Sequence, residues 1–160
     1  MKQEGGEAMT PVLVLGVGNV LMGDDGLGVH ALRALGEGDL CGADALELGT
    51  SLVDCFPELE GRRHVVALDA VEAGGLPGTL YWLDREQLIR ARSGRLTLHD
   101  GDLLDALDLA GLRGHRPVLH VAGMEPFCTQ NWSMELSDPV RAAFPAYLDM
   151  IRLRLRTLAG

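Results

Sequence analysis

Long apolar runs are missing from this chain of 160 residues. No stretch approaches the roughly 18 residues that a membrane-spanning helix needs. Residues 1–10 are polar and acidic and lack the apolar core of a signal peptide. They are expected to form a disordered extension ahead of a single domain over 11–160. Positive charge is also scarce: 14 Lys and Arg stand against 23 Asp and Glu, a net charge of −9. That balance argues against nucleic acid and anionic membranes as partners, and it suits either a basic partner surface or plain solubility. Cysteine is sparse. Cys41, Cys55 and Cys128 are odd in number, far apart and form no Cys-x-x-Cys. This excludes a disulfide framework and fits reduced thiols in the cytoplasm. His-Glu-x-x-His, Gly-x-Ser-x-Gly and the Walker A sequence are all absent, as are repeats and low-complexity tracts.

What is present is ordinary in proportion and specific in order. The hydrophobic fraction is 47% and the charged fraction 23%, as in one globular domain with a full core. Val12-Leu13-Val14-Leu15 is a short, partly β-branched run ending at glycine, and it reads as a buried strand. A glycine-rich turn follows, Gly16-Val17-Gly18-Asn19-Val20-Leu21-Met22-Gly23-Asp24-Asp25-Gly26-Leu27-Gly28, with two adjacent carboxylates. Val29, Ala31, Leu32 and Leu35 then recur as one helix face. In an open α/β sheet such a turn lies at the carboxyl edge, where ligands bind. The dinucleotide fingerprint Gly-x-Gly-x-x-Gly fails at its third position, which is Leu21. Asp24 and Asp25 would also repel a pyrophosphate. A cation suits the turn better, with a nucleotide-binding α/β domain as an alternative.

The alternation continues. Residues 43–48, 64–69, 79–83 and 117–123 read as strands. The third strand, His64–Asp69, is almost continuously apolar, as strands covered on both faces are. Thr50 or Ser51 can cap a helix carrying Leu52, Val53, Phe56 and Leu59, which Pro57 interrupts. Residues 86–92 suit a short helix, and Asp102 can cap one with Leu103, Leu104, Leu107 and Leu112 as its apolar positions. Asp138-Pro139 reads as the cap and first residue of a long final helix, kinked or weakened at Pro145. The expected fold is a three-layer α/β/α sandwich with a mostly parallel twisted sheet of about five strands. Any antiparallel strand belongs near an edge.

The first three strands each end in acid: Asp24 and Asp25, then Glu47, then Asp69. In a parallel sheet those ends share one edge, and His99, in a later loop, can return to it. Carboxylates with one imidazole suit a divalent metal of intermediate hardness. Each residue also has an ordinary role. Asp24 or Asp25 can cap the first helix, Asp69 can open a loop, His99 can be a solvated histidine, and Glu47 a strand-end acid. Spacing alone leaves both readings open.

The stretch Gly16-Val17-Gly18-Asn19-x-Leu21-x-x-Asp24-Asp25-Gly26-x-Gly28 resembles the N-terminal signature of the hydrogenase maturation endopeptidases. These proteins trim the C-terminal tail from the large subunit of nickel-iron hydrogenases. Leu68-Asp69-Ala70, Pro77-Gly78-Thr79 and Gly123-Met124-Glu125-Pro126 resemble later segments, so the likeness runs from Val12 to the region of Leu155. It implies a peptidase with Asp25, Asp69 and His99 as catalytic residues and metal ligands. It also implies nickel presented by the large-subunit precursor, and a monomer in the cytoplasm. Where the family has Asp-Gly-Gly-Thr, this chain has Glu47-Leu48-Gly49-Thr50, a longer acid in a stiffer loop. A non-catalytic metal-binding maturation chaperone is the rival on the same residues.

Overall fold

The computed structural model describes residues 10–92 and 100–160. The expected extension, apart from Thr10, and the candidate ligand His99 lie outside the described residues. Five strands form one sheet: β1 (Val12–Val17), β2 (Asp44–Gly49), β3 (His64–Ala70), β4 (Leu80–Asp84) and β5 (Val118–Met124). Their order is β2-β1-β3-β5-β4. The first four in that order are parallel, and β4 pairs antiparallel with β5 at the edge. The link from Ala70 to Leu80 explains the reversal, because a parallel crossover needs a dozen or more residues. Helices α1 (Leu27–Leu35), α2 (Arg85–Arg92), α3 (Asp100–Leu112) and α4 (Asp138–Ala159) complete the three layers.

Alternation along the central strands divides the core. Leu13, Leu15, Val65, Ala67 and Val121 share one cluster with Leu88 of α2 and with Leu103, Leu104 and Leu107 of α3. Val12, Val14, Val66, Leu68 and Ala122 share the other with α1 and α4. Burial on both faces is why β1 and β3 read as apolar runs. Tyr147 anchors α4 to the sheet, its buried hydroxyl donating to the Ala122 carbonyl at 2.6 Å.

Three local expectations change. Helix α3 already starts at Asp100, so Asp102 lies inside it instead of capping it, and Leu112 at its end is exposed. Residues Leu52–Leu59 form 3-10 turns instead of an α-helix. Pro57 lacks the N–H that an α-helical turn would use and clashes with the carbonyl four residues earlier. At α4, Asp138 is already helical, Ser137 holds the cap position, and the helix runs on through Pro145.

Candidate active site

Three glycines shape the turn that follows β1. Gly18 has φ +112°, and a Cβ there would lie 1.8 Å from the Asp25 carbonyl oxygen. A Cβ on Gly26 would lie 2.7 Å from the Val20 Cα. A Cβ on Gly28 would lie 1.8 Å from the Leu68 carbonyl oxygen and 2.5 Å from that of Val17. Only glycine lets the turn fold back on itself and lets α1 start against the ends of β1 and β3. Asp25, just ahead of α1, and Asp69, immediately after Leu68, therefore stand at the same carboxyl edge.

The two adjacent acids of the turn have different surroundings. The Asn19 N–H donates to Oδ2 of the half-buried Asp25 at 3.0 Å. Asp24 is buried and receives four hydrogen bonds from the segment between β5 and α4. Neither acid caps α1, whose cap position is Gly26 with no side-chain bond. Asp69 is 2% exposed and accepts the Ala70 N–H at 2.8 Å. Burial, and then the Asp69 charge, hold the Tyr147 hydroxyl far above the ordinary phenol range.

Glu47 does not end its strand, because β2 continues to Gly49. The register of β1 against β2 shifts between Gly16 and Val17. Glu47 instead accepts two hydrogen bonds from Arg33 of α1, at 2.9 and 2.6 Å. That bond, above all, pulls its pKa below the usual carboxylate range. Among the described residues no group of three or more His, Cys, Asp or Glu gathers closely enough to hold a metal ion.

The structure adds residues that spacing did not single out. Glu125, just past β5, is buried and accepts from Ala73 N–H at 2.9 Å, Gly74 N–H at 3.2 Å and Tyr81 O–H at 2.7 Å. Burial and this bond push Tyr81 up to about 12. Glu125 thus ties the 73–78 loop to the end of β5. Beside it, Thr129 donates to Glu72 at 3.2 Å. Two clefts of about 420 Å³ each border Phe127 and Cys128. One is lined by Glu72, Glu125 and Gln130, the other by Asp24, Asn131 and Ser137. The sequence signals for Glu125 are an acid directly after an apolar strand and its place in the Gly123-Met124-Glu125-Pro126 segment of the resemblance.

Carboxylates on turns at one edge of a doubly covered sheet can hold a hard or borderline cation, or take up a proton from water. The family model of hydrogenase maturation proteases matches residues 36–153. The chain belongs to that family. The hydrogenase expression/formation protein HupD of Rhodobacter capsulatus is 32% identical over 134 residues. That match covers 81% of this chain and 63% of the relative, so the chain spans less than two thirds of its length. The hydrogenase maturating endopeptidase HybD from E. coli superimposes with a TM-score of 0.80 at 26% identity, covering 92% of this chain and 93% of that one. The NiFe hydrogenase maturation protease HybD from Thermococcus kodakarensis gives 0.78 at 28% identity, covering 94% and 100%. The chain is a member of a peptidase family, and its three-layer fold is that of its relatives. The family model begins beyond the Asp24-Asp25 turn, whereas the superpositions span nearly the whole chain.

Proposed function

We propose that this protein is the endopeptidase that removes the C-terminal extension from the nickel-loaded large-subunit precursor of a nickel-iron hydrogenase. We further propose that Asp25, Asp69 and His99 engage the nickel that the precursor presents. One observation carries the reading: Asp25 and Asp69 share a sheet edge, set by the Gly28–Leu68 contact, in a chain of this family. Two carboxylates and an imidazole make an open oxygen and nitrogen set, suited to an ion that arrives and leaves with its carrier. Nickel is cargo on this reading. Either the nickel polarises the scissile carbonyl or a carboxylate draws a proton from water. Among the described residues no helix is long and apolar enough to cross a membrane. We place the protein in the cytoplasm, working as a monomer.

Mass measurement of nickel-loaded and nickel-free precursor, each incubated with the protein, tests this. Only the loaded form should shorten, and Asp25→Asn, Asp69→Asn and His99→Ala should each slow the process. Equal cleavage of both forms defeats nickel sensing. Binding without cleavage favours the chaperone reading. Normal processing by any one variant removes that residue from the site.

A further inference from the structure

We propose that Asp24 is a positioning residue for the reaction. Its buried carboxylate locks the segment between β5 and α4 onto the turn and so fixes the setting of Asp25. This rests on the role given to Asp25 above.

Asp24 is 1% exposed, where a carboxylate is tolerated only with full hydrogen bonding. Four donors meet it: Phe127 N–H at 2.9 Å, Cys128 N–H at 3.2 Å, and Ser137 N–H and O–H, both at 2.7 Å. Each joins residues more than 100 positions apart, so the carboxylate is the meeting point of two distant segments. Backbone bonds surround it. Gly23 N–H donates to Ser133 at 2.7 Å, Ser133 N–H to Leu21 at 3.0 Å and Asp24 N–H to Cys128 at 3.3 Å.

Asp25 sits between this clamp and the opposite wall of the turn. There Gly18 is packed against its carbonyl and the Asn19 N–H holds its Oδ2. A chain pinned on both sides of one residue leaves that residue little freedom. Ser137 supports the point from the other partner. It occupies the cap position of α4, where serine ordinarily bonds a helix N–H, yet makes no such bond. Its hydroxyl goes to Asp24 instead.

The test uses Ser137→Ala, which removes one donor, Ser137→Thr, which keeps it, and Asp24→Asn, which sets an amide N–H₂ among donors. The Asn19 amide in nitrogen–proton correlation spectra reports on the Asp25 carboxylate, and Asp25→Asn identifies its signature. The amide should move in Ser137→Ala and Asp24→Asn and stay in Ser137→Thr. On nickel-loaded precursor, kcat should fall about tenfold in Ser137→Ala and further in Asp24→Asn at unchanged KM, since small misplacements of a reacting group cost that much. Ser137→Thr should stay within about twofold of the parent. If Asp24→Asn does not fold, Ser137→Ala and its threonine rescue decide. An unmoved Asn19 amide overturns the proposal, whatever the activity. Lower activity explained wholly by loss of folded protein, with the amide in place, marks a merely structural clamp and overturns it too. If the amide moves as expected while the unaltered protein cleaves no precursor, the assigned reaction fails and the positioning stands.

Discussion

Replacing Gly28 with alanine tests the contact that brings the two halves of the site together. The new Cβ would lie 1.8 Å from the Leu68 oxygen, 2.5 Å from the Val17 oxygen and 2.6 Å from the Leu68 carbonyl carbon. Real Cβ atoms do not approach closer than 3.0 Å, so α1 must lift by about 1.2 Å from that 1.8 Å contact. The obstacle is the backbone of two central strands, which cannot swing aside. Lifting α1 also loosens Leu27, Val29, Ala31, Leu32 and Leu35, all buried in the current packing. Overpacking of this kind costs about 1–3 kcal/mol, and a backbone obstacle belongs at the upper end. Alanine returns up to about 1 kcal/mol through its helix propensity. The net loss is about 2 kcal/mol or more, which lowers Tm by roughly 4–8 °C in a domain of this size. Gly38→Ala is the control, because nothing lies within 4 Å of its Cβ position. Its stability should stay within about 0.5 kcal/mol. Urea unfolding followed by circular dichroism measures both, with m unchanged. If Gly28→Ala proves as stable as Gly38→Ala, the close approach is not what fixes this edge.

The sheet was legible because β1 and β3 are apolar on both faces, and residues buried on both sides leave no alternation to misread. An antiparallel strand was expected only near an edge, and β4, the one antiparallel strand among the described residues, lies there. The site was legible in part. Asp24 and Asp25 carry the same side chain at adjacent positions, and what separates them is a segment more than 100 residues away. No local pattern can tell which of the two that segment covers. Glu47 looked like a strand end because Gly49-Thr50 punctuates it, but the register shift beside Gly16 lets the strand run on. Asp138 looked like a cap because Pro139 follows. Ser137 holds the cap position because the chain remains extended there, at φ −61° and ψ 159°. The contacts of Glu125 were hidden for the reason those of Asp24 were, since Ala73, Gly74 and Tyr81 reach it only in three dimensions.

Glu47→Gln breaks an exposed ion pair with Arg33, so Tm should stay within about 2 °C and processing should be unchanged. A processing defect would return Glu47 to the site. Tyr147→Phe leaves the Ala122 carbonyl without its buried donor and should cost roughly 1–3 kcal/mol in denaturant unfolding; an unchanged midpoint would refute this. The pKa of His120 is lowered by burial first, then by His64, whose Nδ1 lies 3.2 Å away, and by Arg154, against the opposing pull of Asp84. The unfolded state thus binds this proton more readily than the folded one. Stability should be full above about pH 6.5 and decline as pH falls below it, more steeply than in His120→Gln; parallel curves would refute the assignment. The sharpest separation of fold from function lies in Asp69→Asn. The side chain is 2% exposed, and a carboxylate is costly to bury unless it is paired and hydrogen-bonded. Asparagine keeps the shape and can still accept the Ala70 N–H, while it removes the charge. A carboxylate kept for a cation should be expendable for folding, and strained sites often gain stability when their function is removed. Tm should therefore hold or rise while processing of loaded precursor collapses. A fall in Tm of about 8 °C or more with processing retained would make Asp69 a structural acid and leave Asp25 without its neighbour.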